Sequence, residues 1–249
     1  MIVQITNYGG RVVNLWVKDR NGNFEDIVLG YESLEDYFTS NEIYFGAHIG
    51  RYANRIAGGR FSLNDSTYKL AQNFAGNNLH GAGNGVITDH LMQINADLFT
   101  PFDNQGGIPN GRIATVEGTP MDFRHPVTIG ERIEEDYDQL VYGLGYDHSW
   151  VLNADESGLT FAARVVEPSF GRTLEVYTNE PAMQFYSGNY MDGRDTGKYR
   201  RTYDYRAAFC LETQHYPDSP NHVHFPSTIL DPGEVYTSIC IYKFGLVTD

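Results

Sequence analysis

Apolar runs long enough to cross a bilayer are missing from this chain, cysteine is almost absent, and positive charge is scarce. The first absence excludes a membrane-spanning helix. The opening Met1-Ile2-Val3-Gln4-Ile5-Thr6-Asn7 also has neither the charged start nor the apolar stretch of a signal peptide. Two cysteines, Cys210 and Cys240, are too few for a disulfide framework. Both stand in apolar, strand-like runs, so the expectation is a pair of reduced core residues in a cytoplasmic protein. With 18 basic against 32 acidic residues the net charge is −14, which excludes partners held through phosphate and leaves a neutral or small substrate as the easier match. Neither a nucleic-acid nor a membrane partner is expected. Low-complexity linkers, charge blocks and fixed-period repeats are lacking too, so residues 1–249 read as one domain.

What the chain has instead is short strands. Residues 2–6, 11–17 and 24–29 alternate in the strand manner and are separated by Asn7-Tyr8-Gly9-Gly10 and Asp19-Arg20-Asn21-Gly22, where Asn and Gly tolerate a positive φ. Further strands are read over 91–102, 150–153, 159–167, 174–178, 183–186 and 234–244. Helix is sparse. One turn is expected over 33–40, where Ser33 and Asp36 are spaced like a capping box, and residues 132–142 read as either a short amphipathic helix or a solvated loop. Many short, aromatic-rich strands indicate an all-β chain, a large antiparallel β-sandwich.

Candidate chemistry concentrates in residues 206–226. Glu212 follows the apolar run Ala207-Ala208-Phe209-Cys210-Leu211 and precedes a loop rich in proline and histidine. A carboxylate where a core strand opens onto a loop combines rigidity with access. Apolar neighbours would raise its pKa toward that of a general base at neutral pH; the competing reading is a solvated, idle strand glutamate. Earlier, Gly50-Arg51-Tyr52-Ala53-Asn54-Arg55-Ile56-Ala57-Gly58-Gly59-Arg60-Phe61 is too broken by glycine for a helix, yet carries three arginines in an acidic protein. Their fork-shaped donors can grip sugar hydroxyls, hold a carboxylate, or simply pair at the surface. His80, between Leu79 and Gly81, is a candidate proton carrier or an ordinary loop histidine.

Five blocks taken together resemble the aldose 1-epimerase family. They are Gly50-Arg51-Tyr52-Ala53-Asn54-Arg55-Ile56, Asn78-Leu79-His80-Gly81, Gly145-Tyr146-Asp147-His148, Gln184-Phe185-Tyr186-Ser187-Gly188-Asn189 and Leu211-Glu212-Thr213-Gln214, in the family's order and spread over most of the chain. The resemblance implies the large antiparallel sandwich of the galactose mutarotase type. It also implies interconversion of the α and β anomers of free hexoses such as glucose and galactose, with no metal or organic cofactor. Carried over position by position, Glu212 is the base that takes the anomeric hydroxyl's proton and His80 the matching histidine. Asn54, Arg55, Asp147 and Gln184 hold the sugar's oxygens.

The resemblance also implies a gap. The family carries a long segment with several strands and a second histidine, its acid, between the blocks that match Asn78-Leu79-His80-Gly81 and Asp89-His90. Here Ala82-Gly83-Asn84-Gly85 joins them directly, as an internal deletion would. His90 or His148 could approach the ring oxygen instead, though the sequence gives no geometric reason to expect it. Strand loss in a sandwich exposes edges, so a monomer or weak homo-oligomer is expected. Two other functions stay open: a sugar-binding relative without turnover, and a glycosidase using Asp147 and Glu212 as its carboxylate pair.

Overall fold

The computed structural model describes residues 1–40, 44–49, 53–63, 66–69 and 87–247. The Asn78-Leu79-His80-Gly81 block, and His80 with it, lies outside the described residues. A three-stranded antiparallel meander opens the chain: β1 (Ile2–Ile5), β2 (Val12–Lys18) and β3 (Phe24–Asp26). Helix α1 (Asp36–Thr39) follows, and the Ser33 hydroxyl donates to Asp36 Oδ2 at 2.6 Å while accepting the Asp36 amide at 3.2 Å, the reciprocal pair that the spacing predicted. The hairpin β4 (Arg60–Leu63) and β5 (Ser66–Lys69) comes next.

The main body is a sandwich. Its strands are β6 (Leu91–Ile94), β7 (Leu98–Thr100), β8 (Ala114–Thr115), β9 (Val127–Thr128), then helix α2 (Asp138–Gly143), then β10 (Asp147–Val151), β11 (Thr160–Val166), β12 (Arg172–Thr178), β13 (Ala182–Tyr186), β14 (Cys210–Gln214) and β15 (Cys240–Leu246). One sheet runs β14-β13-β10-β7-β8 and the other β15-β12-β11-β6-β9, every pairing antiparallel. The inner faces interdigitate: Met92, Ile94, Val165 and Val176 from the second sheet meet Phe99, Trp150, Phe185 and Leu211 from the first. The Trp150 indole, fully buried, donates to the Met121 carbonyl at 3.0 Å, which gives its one polar atom a partner.

Three expectations are corrected. The two cysteines are free, but Cys210 is half-buried and Cys240 exposed, so neither is a core residue; both sit on strands at a sheet edge, where little covers them. The strand expected from residue 150 begins at Asp147, which draws Asp147 and His148 into the sheet. Glu212 likewise stands in mid-strand, because pairing with β13 continues through Gln214.

Candidate active site

Strand alternation sorts the candidate residues by face. Along β10, Asp147 and Ser149 share one face, while His148 and Trp150 share the other. Register then carries the first face across the sheet, since Ser149 lies opposite Gln184 and Gln184 opposite Glu212. His148, Phe185 and Leu211 form the corresponding row on the core face.

Asn54 and Arg55 complete the polar face from outside the sheet. Arg55 Nη2 donates to Asp147 Oδ2 at 2.8 Å, and Gln184 Nε2 donates to Asp147 Oδ1 at 2.8 Å, so both carboxylate oxygens are engaged. Arg55 and Asp147 are both buried. Burial works against the guanidinium charge, but the ion pair and hydrogen bond with Asp147 outweigh it, with help from Tyr190 and Glu212, and the Arg55 pKa moves up. Arg55 therefore stays charged, and Glu212 lies within its electrostatic reach. Arg55 Nη1 also donates to Asn54 Oδ1 at 3.4 Å.

The loop bearing these residues is locked from two sides. Asp218 donates its amide to the Arg55 carbonyl at 3.0 Å, and its Oδ1 accepts from the Ala57 amide at 3.0 Å and Asn221 Nδ2 at 2.7 Å. Asn54 and Asp218 both take left-handed backbone, φ 64° and 59°, a conformation that Asn and Asp tolerate better than most residues. Gly107, φ 63°, lies flat against the guanidinium; a Cβ there would stand 2.9 Å from Arg55 Cζ.

Several buried polar atoms of this face have no partner among the described residues. Ser149 Oγ, Gln184 Oε1 and both amide atoms of Gln214 are buried and unpaired among the described residues. Each such group costs about 1–3 kcal/mol when left unmatched, so a cluster of them beside a half-buried carboxylate has the character of a ligand site. Gln184 stands opposite Glu212 in the register, and Gln214 follows on the same face of β14. An aromatic edge borders the face. Tyr190 is 40% exposed, and its ring stacks on Tyr186 with centroids 6.0 Å apart. Burial, then the charge of Asp147, push its phenol up to about 12 against the pull of Arg55.

The structure brings Asn54, Arg55, Asp147, Gln184 and Glu212 together. It does not bring His148 to them: that ring stacks on Phe102 at 4.2 Å on the core face, and burial lowers its pKa to about 3, which favours the uncharged ring. His90 packs against Phe209, its pKa also lowered by burial. Sequence reasoning missed Gln214, Asp218 and Gly107 as site residues. Two-residue alternation from Glu212 would have found Gln214, whereas Asp218 and Gly107 act through the fold and left no local signal. Among the described residues no group of three His, Cys, Asp or Glu side chains is placed to hold a metal, and no helix is long and apolar enough to cross a membrane.

The aldose 1-epimerase family model matches residues 1–87 and 82–243. The chain belongs to the aldose 1-epimerase family. Among its relatives, the galactose mutarotase of Bos taurus is 34% identical over 319 aligned positions, covering 98% of this chain and 91% of the bovine one. The aldose 1-epimerase of Escherichia coli (strain K12) is 28% identical over 322 positions, covering 98% and 92%. Solved structures agree on the fold. A GalM/aldose epimerase homologue from C. elegans superposes with a TM-score of 0.86 at 19% identity, over 99% of this chain and 96% of that one. The galactose 1-epimerase from Lactobacillus acidophilus NCFM gives 0.76 at 20%, over 98% and 91%. The two stretches matched to the family overlap at 82–87.

Proposed function

We propose that this member of the aldose 1-epimerase family is a mutarotase, interconverting the α and β anomers of free hexoses such as glucose and galactose. The observation that carries this reading is Glu212 set in register beside Gln184, within reach of the Arg55–Asp147 pair and amid buried amide atoms with no partner of their own. A monosaccharide offers hydroxyls to match those atoms. Glu212 takes the proton from the anomeric hydroxyl, the electron pair on O1 forms the carbonyl, and the bond from C1 to the ring oxygen breaks as that oxygen takes a proton from His80, standing in for the second histidine that serves the family as acid. Rotation about C1–C2 and the reverse transfers close the ring as the other anomer, so every proton is returned. Asn54, Arg55, Asp147 and Gln184 orient the sugar, which is where the acceleration from pre-organisation arises. The chain works as one domain, residues 1–249, and free cysteines fit a cytoplasmic location.

A glycosidase reading is disfavoured because Asp147 has both oxygens committed to Arg55 and Gln184, which leaves no free acid opposite Glu212. The test is polarimetry on freshly dissolved α-D-galactose. The chain should speed relaxation to anomeric equilibrium over buffer, and Glu212→Gln should remove about 10² to 10⁴ of that rate. A folded chain, verified by circular dichroism, that relaxes the sugar no faster than buffer would overturn the proposal.

A further inference from the structure

Two of the family blocks, Gly145-Tyr146-Asp147-His148 and Gln184-Phe185-Tyr186-Ser187-Gly188-Asn189, contain more residues than the proposed reaction uses. Asp147 and Gln184 hold the sugar in that reading, while Gly145, Ser187 and Asn189 have no part in it. The structure packs these three against one another. Strand β13 ends at Tyr186, opposite Asp147, and the turn that follows lies against the backbone leading into β10.

Asn189 is 4% exposed, so its amide atoms need partners within the protein. Nδ2 donates to the Tyr146 carbonyl at 2.8 Å and to the Gly143 carbonyl at 2.9 Å, and Oδ1 accepts from the Ser187 hydroxyl at 2.7 Å. The Ser187 hydroxyl in turn accepts the Tyr146 amide at 3.0 Å, and the Ser187 amide donates to the Tyr146 carbonyl at 2.9 Å. Gly145 makes room for the Asn189 side chain. A Cβ there would stand 2.4 Å from Oδ1, and its φ of 133° is one that side chains rarely adopt.

The Tyr146 carbonyl belongs to the peptide unit that begins Asp147. Peptide units are planar, so donors from Ser187 and Asn189 on its oxygen, with the Asp147 amide donating to His148 Nδ1 at 3.1 Å, fix that plane from both ends. The plane sets the direction in which the Asp147 side chain leaves the backbone. From there the carboxylate meets Arg55 Nη2 and Gln184 Nε2, each at 2.8 Å. Glu212 is placed separately, by the pairing of β14 with β13.

We propose that Asn189 is a positioning residue. Through the Tyr146–Asp147 peptide its side-chain amide aims the Asp147 carboxylate at Arg55 and Gln184, and so sets how tightly the sugar is held rather than how fast its proton moves. The aiming of Asp147 stands on the hydrogen bonds alone; the effect on the sugar rests on the mutarotase reading.

Two readouts on the full chain test this. Side-chain proton–nitrogen correlation spectra report the Arg55 guanidinium and the Gln184 amide without any substrate, and polarimetry on α-D-galactose gives KM and kcat. Asn189→Ala, verified as folded by circular dichroism, should shift both side-chain resonances and raise KM about tenfold, while kcat and its pH profile stay close to wild type. Asn189→Asp keeps the acceptor for Ser187 but loses the amide donors, and should not restore KM. Ser187→Ala should move both readouts in the same direction by less. Tyr203→Phe removes a different buried hydrogen bond, from its hydroxyl to the Gly30 carbonyl at 2.7 Å, and should lower the melting temperature with both readouts unchanged.

Unmoved resonances in folded Asn189→Ala would overturn the proposal, and so would moved resonances with an unmoved KM, or Tyr203→Phe reproducing both changes. Should Asn189→Ala fail to fold, Ser187→Ala decides by the same two readouts. Should the wild-type chain relax galactose no faster than buffer, shifted resonances would uphold the aiming of Asp147 and overturn the effect on the sugar together with the mutarotase reading.

Discussion

Strands β13 and β15 are both rich in apolar and aromatic residues, and they meet opposite fates. All five residues of β13 are buried, whereas six of the seven in β15 are exposed. β13 lies between β10 and β14, with the aromatic core on one face and Asp147, Arg55 and the loop around Asp218 over the other. Among the described strands β15 pairs with β12 alone. Composition did not separate the two strands; cover did. The proposed active face is rigid because it is backed by a packed core, whereas the side chains of β15 are mostly exposed.

The largest effect should come from breaking the covered side. Asp147→Ala strands a buried guanidinium and should destabilise the chain by about 3–5 kcal/mol, and Phe185→Ala should cost a similar amount through a core cavity. Tyr242→Ala, at a position already half uncovered, should cost under about 1.5 kcal/mol. Urea unfolding of the three variants checks the contrast, and equal losses would abolish it.

Next comes the lock on the Arg55 loop. Asp218→Ala removes the acceptor of the Ala57 amide and should lower stability by about 1–3 kcal/mol while raising KM more than it lowers kcat. Asp218→Asn keeps an Oδ1 acceptor and should restore most of both. A smaller loss is expected from Gly107→Ala, whose Cβ pushes on the guanidinium; KM for galactose should rise several-fold with the fold intact, read by polarimetry and circular dichroism.

The smallest effect concerns Glu180, a buried carboxylate. Burial alone would raise Glu180, but hydrogen bonds from His215, Ser238 and Tyr236 outweigh it and hold its pKa at about 2. A depressed carboxyl contributes stability that is complete above the ordinary glutamate range and lost as pH falls through that range toward 2. Thermal melts of wild type and Glu180→Gln between pH 5 and 2 (roughly the window set by the two pKa values) should converge as the acid end is approached.

The sandwich was legible because hairpin turns and two-residue alternation are local signals, and the Ser33–Asp36 pair formed as its spacing implied. Element limits were less so: pairing with a neighbour drew Asp147 and Glu212 into strands that local pattern had ended beside them. Of the site, Asn54, Arg55, Asp147, Gln184 and Glu212 were named from sequence and stand together, while His148 was misdirected by its neighbour. Adjacent strand residues point to opposite faces, so Asp147 and His148 can never serve one pocket together. The packing of Gly107 on Arg55 and the reach of Asp218 to Ala57 span dozens of residues, and no local pattern announces contacts of that range.

The exposure of β15 has a thermal consequence. Apolar surface that already meets solvent in the folded state adds nothing to the heat capacity gained on unfolding, which is ordinarily about 12–15 cal/mol/K per residue. Uncovered side chains such as Tyr242 lower that figure and flatten the stability curve, so the chain alone should keep a modest stability that varies little with temperature.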